Sequence, residues 1–171
     1  MKFDLSNPRT LAVTAVMTAL TMALTMLVRV PTPVPNGYAH LADVAIYFAA
    51  FAFGPWVGLV AGGLGTALAD VVGGYAQWAP ITLIVHGLKG FVVGWIVLNN
   101  KSLERVVLAV LAGIAILVAG YLIGGTILLT FPVAVAEVIP NLFQGAVGIL
   151  GVIVYFAVLR AYPRLNQLVS G

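Results

Sequence analysis

The sequence predicts an all-α integral membrane protein, a compact bundle of six transmembrane helices with both termini in the cytoplasm. Three observations carry this. Of 171 residues, 62% are apolar and only 8% are charged, with a mean hydropathy of +1.12. An ordinary soluble domain carries roughly a quarter charged residues, and a chain this small has no means of hiding so much apolar surface from water. The apolar runs are continuous and lack the period-two alternation of membrane barrels. A crossing of about 30 Å of hydrocarbon takes roughly 20 residues, so six crossings take about 120 and leave about 50 for connections. This excludes soluble enzymes, and it makes the lipid bilayer rather than nucleic acid the expected partner. With no cysteine present, disulfides and thiolate chemistry are excluded as well.

The first helix is expected over about 9–29, since no charge lies between Arg9 and Arg29. Met1-Lys2-Phe3-Asp4 runs into it without a small-residue cleavage site, so it reads as a retained helix. The next segment, Val30 to Tyr38, has prolines at 31, 33 and 35, which lock φ, remove donors and favour an extended path. Between Asp43 and Asp70 an uncharged stretch is broken at Gly54-Pro55, which divides it into two short helices, about 41–53 and 55–71. Gly73 to Pro80 is a loop rich in turn formers and aromatics, followed by a helix over about 80–98 with proline in its first turn. Asn99 to Arg105 is a polar connection, and the fifth helix covers about 106–129. Phe131-Pro132 and Ile139-Pro140 are expected to frame a loop before a last helix over about 140–160. A single membrane domain spanning 1–171 is the economical division.

Basic residues set the orientation. With the N-terminus inside, Lys2, Arg9, Lys101, Arg105, Arg160 and Arg164 are cytoplasmic and only Arg29 lies in an outer loop, as the positive-inside rule requires. The outer half then gathers Asn36, Tyr38, His40, Asp43, Asp70, Tyr75, Gln77, Trp78, Glu137 and Asn141, with His86 and Lys89 somewhat deeper on the fourth helix. Polar and aromatic groups converging at one face of an apolar body suggest a binding pocket open to the outside.

Several of these residues also have a plainer reading. Tyr38, Tyr75 and Trp78 fit equally as interfacial aromatics. Asp43 and Glu137 sit near helix starts, where a carboxylate caps amides. Asp70 falls near a helix C-terminus, where the dipole disfavours an anion, so it needs a cation, a water or a ligand. Lys89 lies far from both ends of its helix, where an ammonium must face the bundle interior. We expect it to pair with Asp70 or Glu137, or to meet a ligand oxygen. His86, three residues earlier, shares its face and reads either as a ligand contact or as a buried neutral imidazole. Two histidines without metal-ligand spacing argue against a metal site. Ala12, Ala15, Ala19 and Ala23 form a small-residue stripe on the first helix, and Gly58-x-x-x-Gly62, Gly90-x-x-x-Gly94 and Gly120-x-x-x-Gly124 permit close helix packing. Gly62-Gly63-Leu64-Gly65-Thr66 lacks the ending of a phosphate-binding loop, so the chain has no visible means of hydrolysing ATP.

A set of segments then resembles the substrate-binding S components of energy-coupling factor (ECF) vitamin transporters, riboflavin-type branch. They are Ala15-x-x-x-Ala19-x-x-x-Ala23, Arg29-Val30-Pro31-Thr32-Pro33, Gly37-Tyr38-x-x-Leu41-x-Asp43, Gly54-Pro55-x-x-Gly58, Ala67-Leu68-Ala69-Asp70 with Gly73-Gly74-Tyr75, Ala79-Pro80-x-Thr82-Leu83 and Gly87-Leu88-x-Gly90. The resemblance implies a multi-pass protein of a prokaryotic cell membrane that is not itself an enzyme. It would capture riboflavin, pyridoxine or a hydroxymethylpyrimidine-like heterocycle as cargo, with no cofactor of its own. Its implied partners are a membrane coupling (T) subunit and two cytoplasmic ATPases. Ala15, Ala19 and Ala23 become the docking surface; Pro31, Pro33, Pro35, Asn36 and Gly37 belong to the gate. Tyr38, Asp43, Asp70, Tyr75, Trp78, His86, Lys89, Glu137 and Asn141 are the expected pocket residues. Where similar proteins commonly read Lys-Gly-Leu-Glu-Gly, this chain has His86-Gly87-Leu88-Lys89-Gly90, the basic group moved by one turn and an acid lost. Two rival readings stand beside this one: an intramembrane enzyme using His86, Lys89 and Asp70, and a non-transporting scaffold.

Overall fold

In the computed structural model, which describes Asp4, residues 6–32 and residues 37–162, the first helix opens on a side-chain cap. Asn7 accepts the amide of Arg9 at 2.9 Å, and Pro8 occupies the first turn of α1 (Pro8–Leu27), where its missing donor costs nothing. The helix has two faces. Thr10, Thr14, Met17, Thr21 and Thr25 are buried, whereas Ala12, Ala15 and Ala19 are exposed and Ala23 is half-buried. The hydroxyls of Thr14, Thr18, Thr21 and Thr25 each donate to the carbonyl four residues earlier, at 2.7–2.8 Å. Apart from Thr10, the inward face is therefore polar in composition yet hydrogen-bonded within its own helix.

The proline-rich segment is not simply a loop. Arg29–Pro31 (β1) and Tyr38–His40 (β2) pair antiparallel, Arg29 with His40 and Pro31 with Tyr38. This ribbon is an addition to the all-α expectation, and Pro31 is tolerated in it because both strands are edges. Gate positions Pro33, Pro35 and Asn36 lie outside the described residues, as do Lys2 and Arg164.

Two helices follow, α2 (Ala42–Phe53) and α3 (Pro55–Gly73), separated by Gly54 at φ +92°, a left-handed value that favours glycine. With 12 residues, α2 is about 18 Å long, short of the hydrocarbon thickness. It is also the most enclosed helix, packed against α1, α3, α4, α7 and α8. Gly74, at φ +86°, ends α3. Helix α4 (Ala79–Ile96) then packs closely on α3, because glycines face each other across the contact. A Cβ at Gly58 would stand 2.6 Å from the Gly90 carbonyl oxygen, and one at Gly62 would stand 2.6 Å from that of His86.

Helix α5 (Leu103–Leu128) is a continuous 26-residue helix, free of charge after Arg105. Arg105 near its start donates to the carbonyl of Ile96 at 3.0 Å, closing the end of α4. The expected loop at 131–139 is instead mostly helical. Helices α6 (Phe131–Ala136), α7 (Val138–Val147) and α8 (Ile149–Ala161) follow almost without interruption. Pro132 and Pro140 both fall in first turns, where proline begins helices as readily as it ends them. Among the described residues, five stretches are long and apolar enough to cross a membrane: α1, α3, α4, α5 and the run from Phe131 to Ala161. Large apolar side chains such as Val16, Trp95, Ile127 and Phe143 point outward along them, as a lipid-facing surface requires. Tyr47, Phe51, Val93, Val97, Ala109, Val152 and Tyr155 fill the core on the far side of α2 from α1.

Candidate functional site

The ends of α3 and α5, the starts of α4 and α7, and the ribbon converge at one end of the bundle around a recess. Its walls carry Tyr38, Trp78 and Tyr121 as aromatics, and His40, Asp70, Thr82, Glu137, Asn141 and Gln144 as polar groups, with Gly37 at the ribbon. The free space within is about 30 Å³.

Asp70 meets the need set by its place near the α3 C-terminus in two ways. The hydroxyl of Tyr38 donates to its Oδ1. Arg29 sits against the same helix end, donating from Nη2 to the carbonyl of Ala69 at 3.3 Å. A cation at a helix C-terminus is favourable on dipole grounds. The guanidinium also covers the rings of Tyr38 and Tyr75 at 4.8 and 5.2 Å, and the two tyrosines pack together at 4.7 Å. Burial and the Asp70 carboxylate push the Tyr38 phenol far above its usual range, so it stays a donor. On the opposite wall, the Thr32 hydroxyl donates to Oε1 of Glu137, tying the ribbon to the α6–α7 junction.

Beneath the recess lies a second polar group. Lys89 donates to Oδ1 of Asp43, His86 Nδ1 is 3.3 Å from the same oxygen, and Lys89 Nζ is 3.0 Å from His86 Nδ1. All three residues are fully buried. The close α3–α4 contact and the short α2 bring the first turn of α2 level with the middle of α4, so the acid that meets Lys89 is Asp43, not Asp70 or Glu137 as the sequence led us to expect. Asp43 correspondingly makes no cap at its helix start. His40 joins the two layers. It lines the recess, its ring is 5.2 Å from that of His86, its Nδ1 accepts from Ala42 N, and its own amide donates to Gln144 Oε1. Burial foremost, then the neighbouring His86, pulls its pKa down to about 3, so its imidazole is neutral.

Of the residues expected in the pocket, Tyr38, Asp70, Trp78, Glu137 and Asn141 therefore line it. Tyr75 braces Tyr38 from outside, and Asp43, His86 and Lys89 form the buried layer below. His40, expected among the outer polar groups, lines the recess too, and Thr82, Tyr121 and Gln144 do so without having been expected there. Each carried a signal: Gln144 follows Asn141 by three residues and Thr82 precedes His86 by four, placing them on known faces. Tyr121 is the one tyrosine in α5, and no charged residue lies between Arg105 and the end of that helix. Its hydroxyl lies 3.0 Å from that of Thr82.

A family model described as the ECF-type riboflavin transporter S component matches residues 6–161. The chain belongs to this family. The S component is 32% identical over 146 residues, 85% of its length and 84% of the relative's, to the thiamine precursor transporter HmpT of Lactococcus lactis. It is 40% identical over 124 residues, 72% of its length, to the uncharacterized protein in gap 3′ region of Pyrococcus woesei, of which it covers 83%. A UPF0397 protein of Streptococcus pneumoniae matches at 38% over 68 residues, 40% of this chain and 37% of the relative. The family is one of transporter subunits, not enzymes, and the S component is a multi-pass protein of a prokaryotic cell membrane that serves vitamin uptake. The enzyme alternative fails on geometry too, since its three groups are divided: Lys89 and His86 are committed to Asp43, and Asp70 to Tyr38.

Proposed function

We propose that the S component binds a water-soluble vitamin or vitamin precursor in the recess beneath the β1–β2 ribbon. The cargo is a heterocycle of the riboflavin, pyridoxine or hydroxymethylpyrimidine kind, taken up from outside and delivered inward. One observation carries this reading: a buried recess walled by Tyr38, Trp78 and Tyr121 and edged by Asp70, Asn141 and Gln144, at one end of an otherwise apolar bundle. Flat aromatic walls suit a flat ring, and polar edges satisfy its ring nitrogens and hydroxyls once water is excluded. The name of the Lactococcus lactis relative, a thiamine precursor transporter, supports a cargo of this class.

Both termini face the cytoplasm in this reading, with Arg9, Lys101, Arg105 and Arg160 inside and the recess outside. The segment Pro31–Tyr38, whose two ends pair in the ribbon, acts as the gate. The exposed Ala15 and Ala19, with Ala23 behind them, give a flat face against which helices of a coupling T subunit pack closely. Two cytoplasmic ATPases supply the energy through that subunit.

Co-expression with a coupling subunit and two ATPases, followed by reconstitution, tests the assignment. ATP-dependent uptake of the cargo is expected. Ala19→Trp abolishes uptake and assembly and leaves cargo affinity within about twofold, because Ala19 is remote from the recess. Loss of cargo binding with assembly intact would refute the docking role.

A further inference from the structure

The end of α3 is shaped around Arg29, the first residue of β1. Gly74, at φ +86°, gives its amide to the carbonyl of Val71 at 3.4 Å and lets that of Tyr75 turn back to Asp70 at 2.7 Å. This glycine-terminated cap fixes the point at which Tyr75 leaves the helix. Gly73, one residue earlier, supplies a notch: a Cβ there would stand 2.2 Å from Nη2 of Arg29. The Ala69 carbonyl forms the floor, and the guanidinium lies over the rings of both Tyr38 and Tyr75. Among the described residues no carboxylate is within ion-pair distance of Arg29, so a direct bridge to Asp70 does not account for its seat.

Arg29 also stands at a junction. It follows the last residue of α1, Leu27, by two positions and pairs with His40 in the ribbon. Through the Tyr38 ring it steadies the hydroxyl that bonds Asp70. On the other side the ribbon is tied by neutral donors, the Thr32 hydroxyl to Glu137 and the His40 amide to Gln144. Arg29 brings a charged donor and two ring contacts, which are stronger than neutral bonds of the same kind.

The geometry points to Arg29 as the positioning residue of the gate: its guanidinium, seated in the Gly73 notch, pins the ribbon to α3 and keeps the recess covered. Withdrawing it frees Tyr38 and Tyr75 together. The inference rests on the recess being the cargo site and adds which contact holds its cover in place.

The chain has no cysteine, so Thr82→Cys sets a single thiol in the recess. Its rate of labelling by a small water-soluble methanethiosulfonate reagent, in the full chain in lipid nanodiscs, reports how often the ribbon uncovers it, and no cargo is needed. Arg29→Met in this background is expected to raise the rate at least about 10-fold, and Arg29→Lys, which keeps the charge without the planar fork, by less. Gly73→Ala is expected to match Arg29→Met, because its methyl evicts the guanidinium although alanine is the better helix former. The two substitutions together add nothing further, since both act on one contact. Hydrogen exchange quickens in the ribbon amides and stays unchanged in α2 to α5, whereas a merely structural loss would loosen the whole bundle. Labelling of Arg29→Met within about twofold of the parent, effects of the two substitutions that multiply, or exchange quickened throughout the bundle would overturn the inference. Should Arg29→Met fail to fold, Gly73→Ala, which leaves the arginine in the chain, decides alone. ATP-dependent uptake judges the cargo site separately: a ribbon that opens in these variants with uptake unaltered upholds the Arg29 anchor and refutes the gate.

Discussion

Removing one member of the buried Asp43–Lys89 pair should harm the protein far more than removing both charges. In Lys89→Met the carboxylate of Asp43, wholly enclosed, keeps only His86 beside it. In Asp43→Asn the ammonium of Lys89, also wholly enclosed, loses its charge partner. Breaking such a pair typically costs about 3–5 kcal/mol, whereas replacing both partners by groups of similar volume is often neutral. For a chain of 171 residues this converts to a loss of roughly 6–20 °C in Tm per single variant. The double variant should return to within a few degrees of the parent. Thermal unfolding in one detergent, followed by tryptophan fluorescence, reads all four corners of the cycle. Because neither residue lines the recess, cargo affinity of the folded fraction should change little at low temperature. Single variants within about 2 °C of the parent, or a double variant as unstable as the two singles added together, would refute the view that this pair is a mutually dependent buried unit.

Three further outcomes follow from contacts already described. Gly62→Ala places a methyl group 2.6 Å from the His86 carbonyl oxygen, so α4 must shift; a loss of about 1–3 kcal/mol is expected, read as a lowered Tm with weakened cargo binding. Tyr38→Phe removes the hydroxyl that bonds Asp70 and should speed cargo release by roughly 10- to 100-fold, in line with about 1.5–3 kcal/mol for a hydrogen bond to a charged group; stopped-flow dissociation measures it. His40 has a folded-state pKa of about 3 against 6.5 when free, so the unfolded chain binds more protons between these values. Its contribution to stability is complete above about pH 6.5 and is lost as the pH falls toward 3. His40→Asn should flatten part of that slope in a Tm–pH series, and an unchanged slope would count against a buried neutral His40.

How much of this was legible in the sequence depends on what kind of signal each residue carried. Helices announced by long uncharged runs were readable because lipid demands continuous apolar length. The stretch at 131–139 was not, because proline marks both helix starts and helix ends and only the direction of the following chain decides between them. The recess was half legible. Tyr38, Asp70, Trp78, Glu137 and Asn141 stood out as polar or aromatic groups near helix ends. Thr82 and Tyr121 did not, since a single hydroxyl within an apolar helix looks the same whether it faces a ligand or a neighbour. The partner of Lys89 was beyond sequence reasoning altogether. Choosing Asp43 over Asp70 requires knowing the depth at which α2 starts relative to α4, which depends on how α2 packs among α1, α3, α4, α7 and α8.

Four of the five threonine hydroxyls of α1, those of Thr14, Thr18, Thr21 and Thr25, bond only the helix's own backbone carbonyls. Through these groups the helix can therefore tilt or slide on α3 without a hydrogen bond being made or broken; only packing, such as Thr21 against Gly65, resists it. Such an interface behaves as a greased bearing rather than a latch. If the alanine face is the docking surface proposed above, a displacement there reaches the ribbon at the far end of α1 against packing alone.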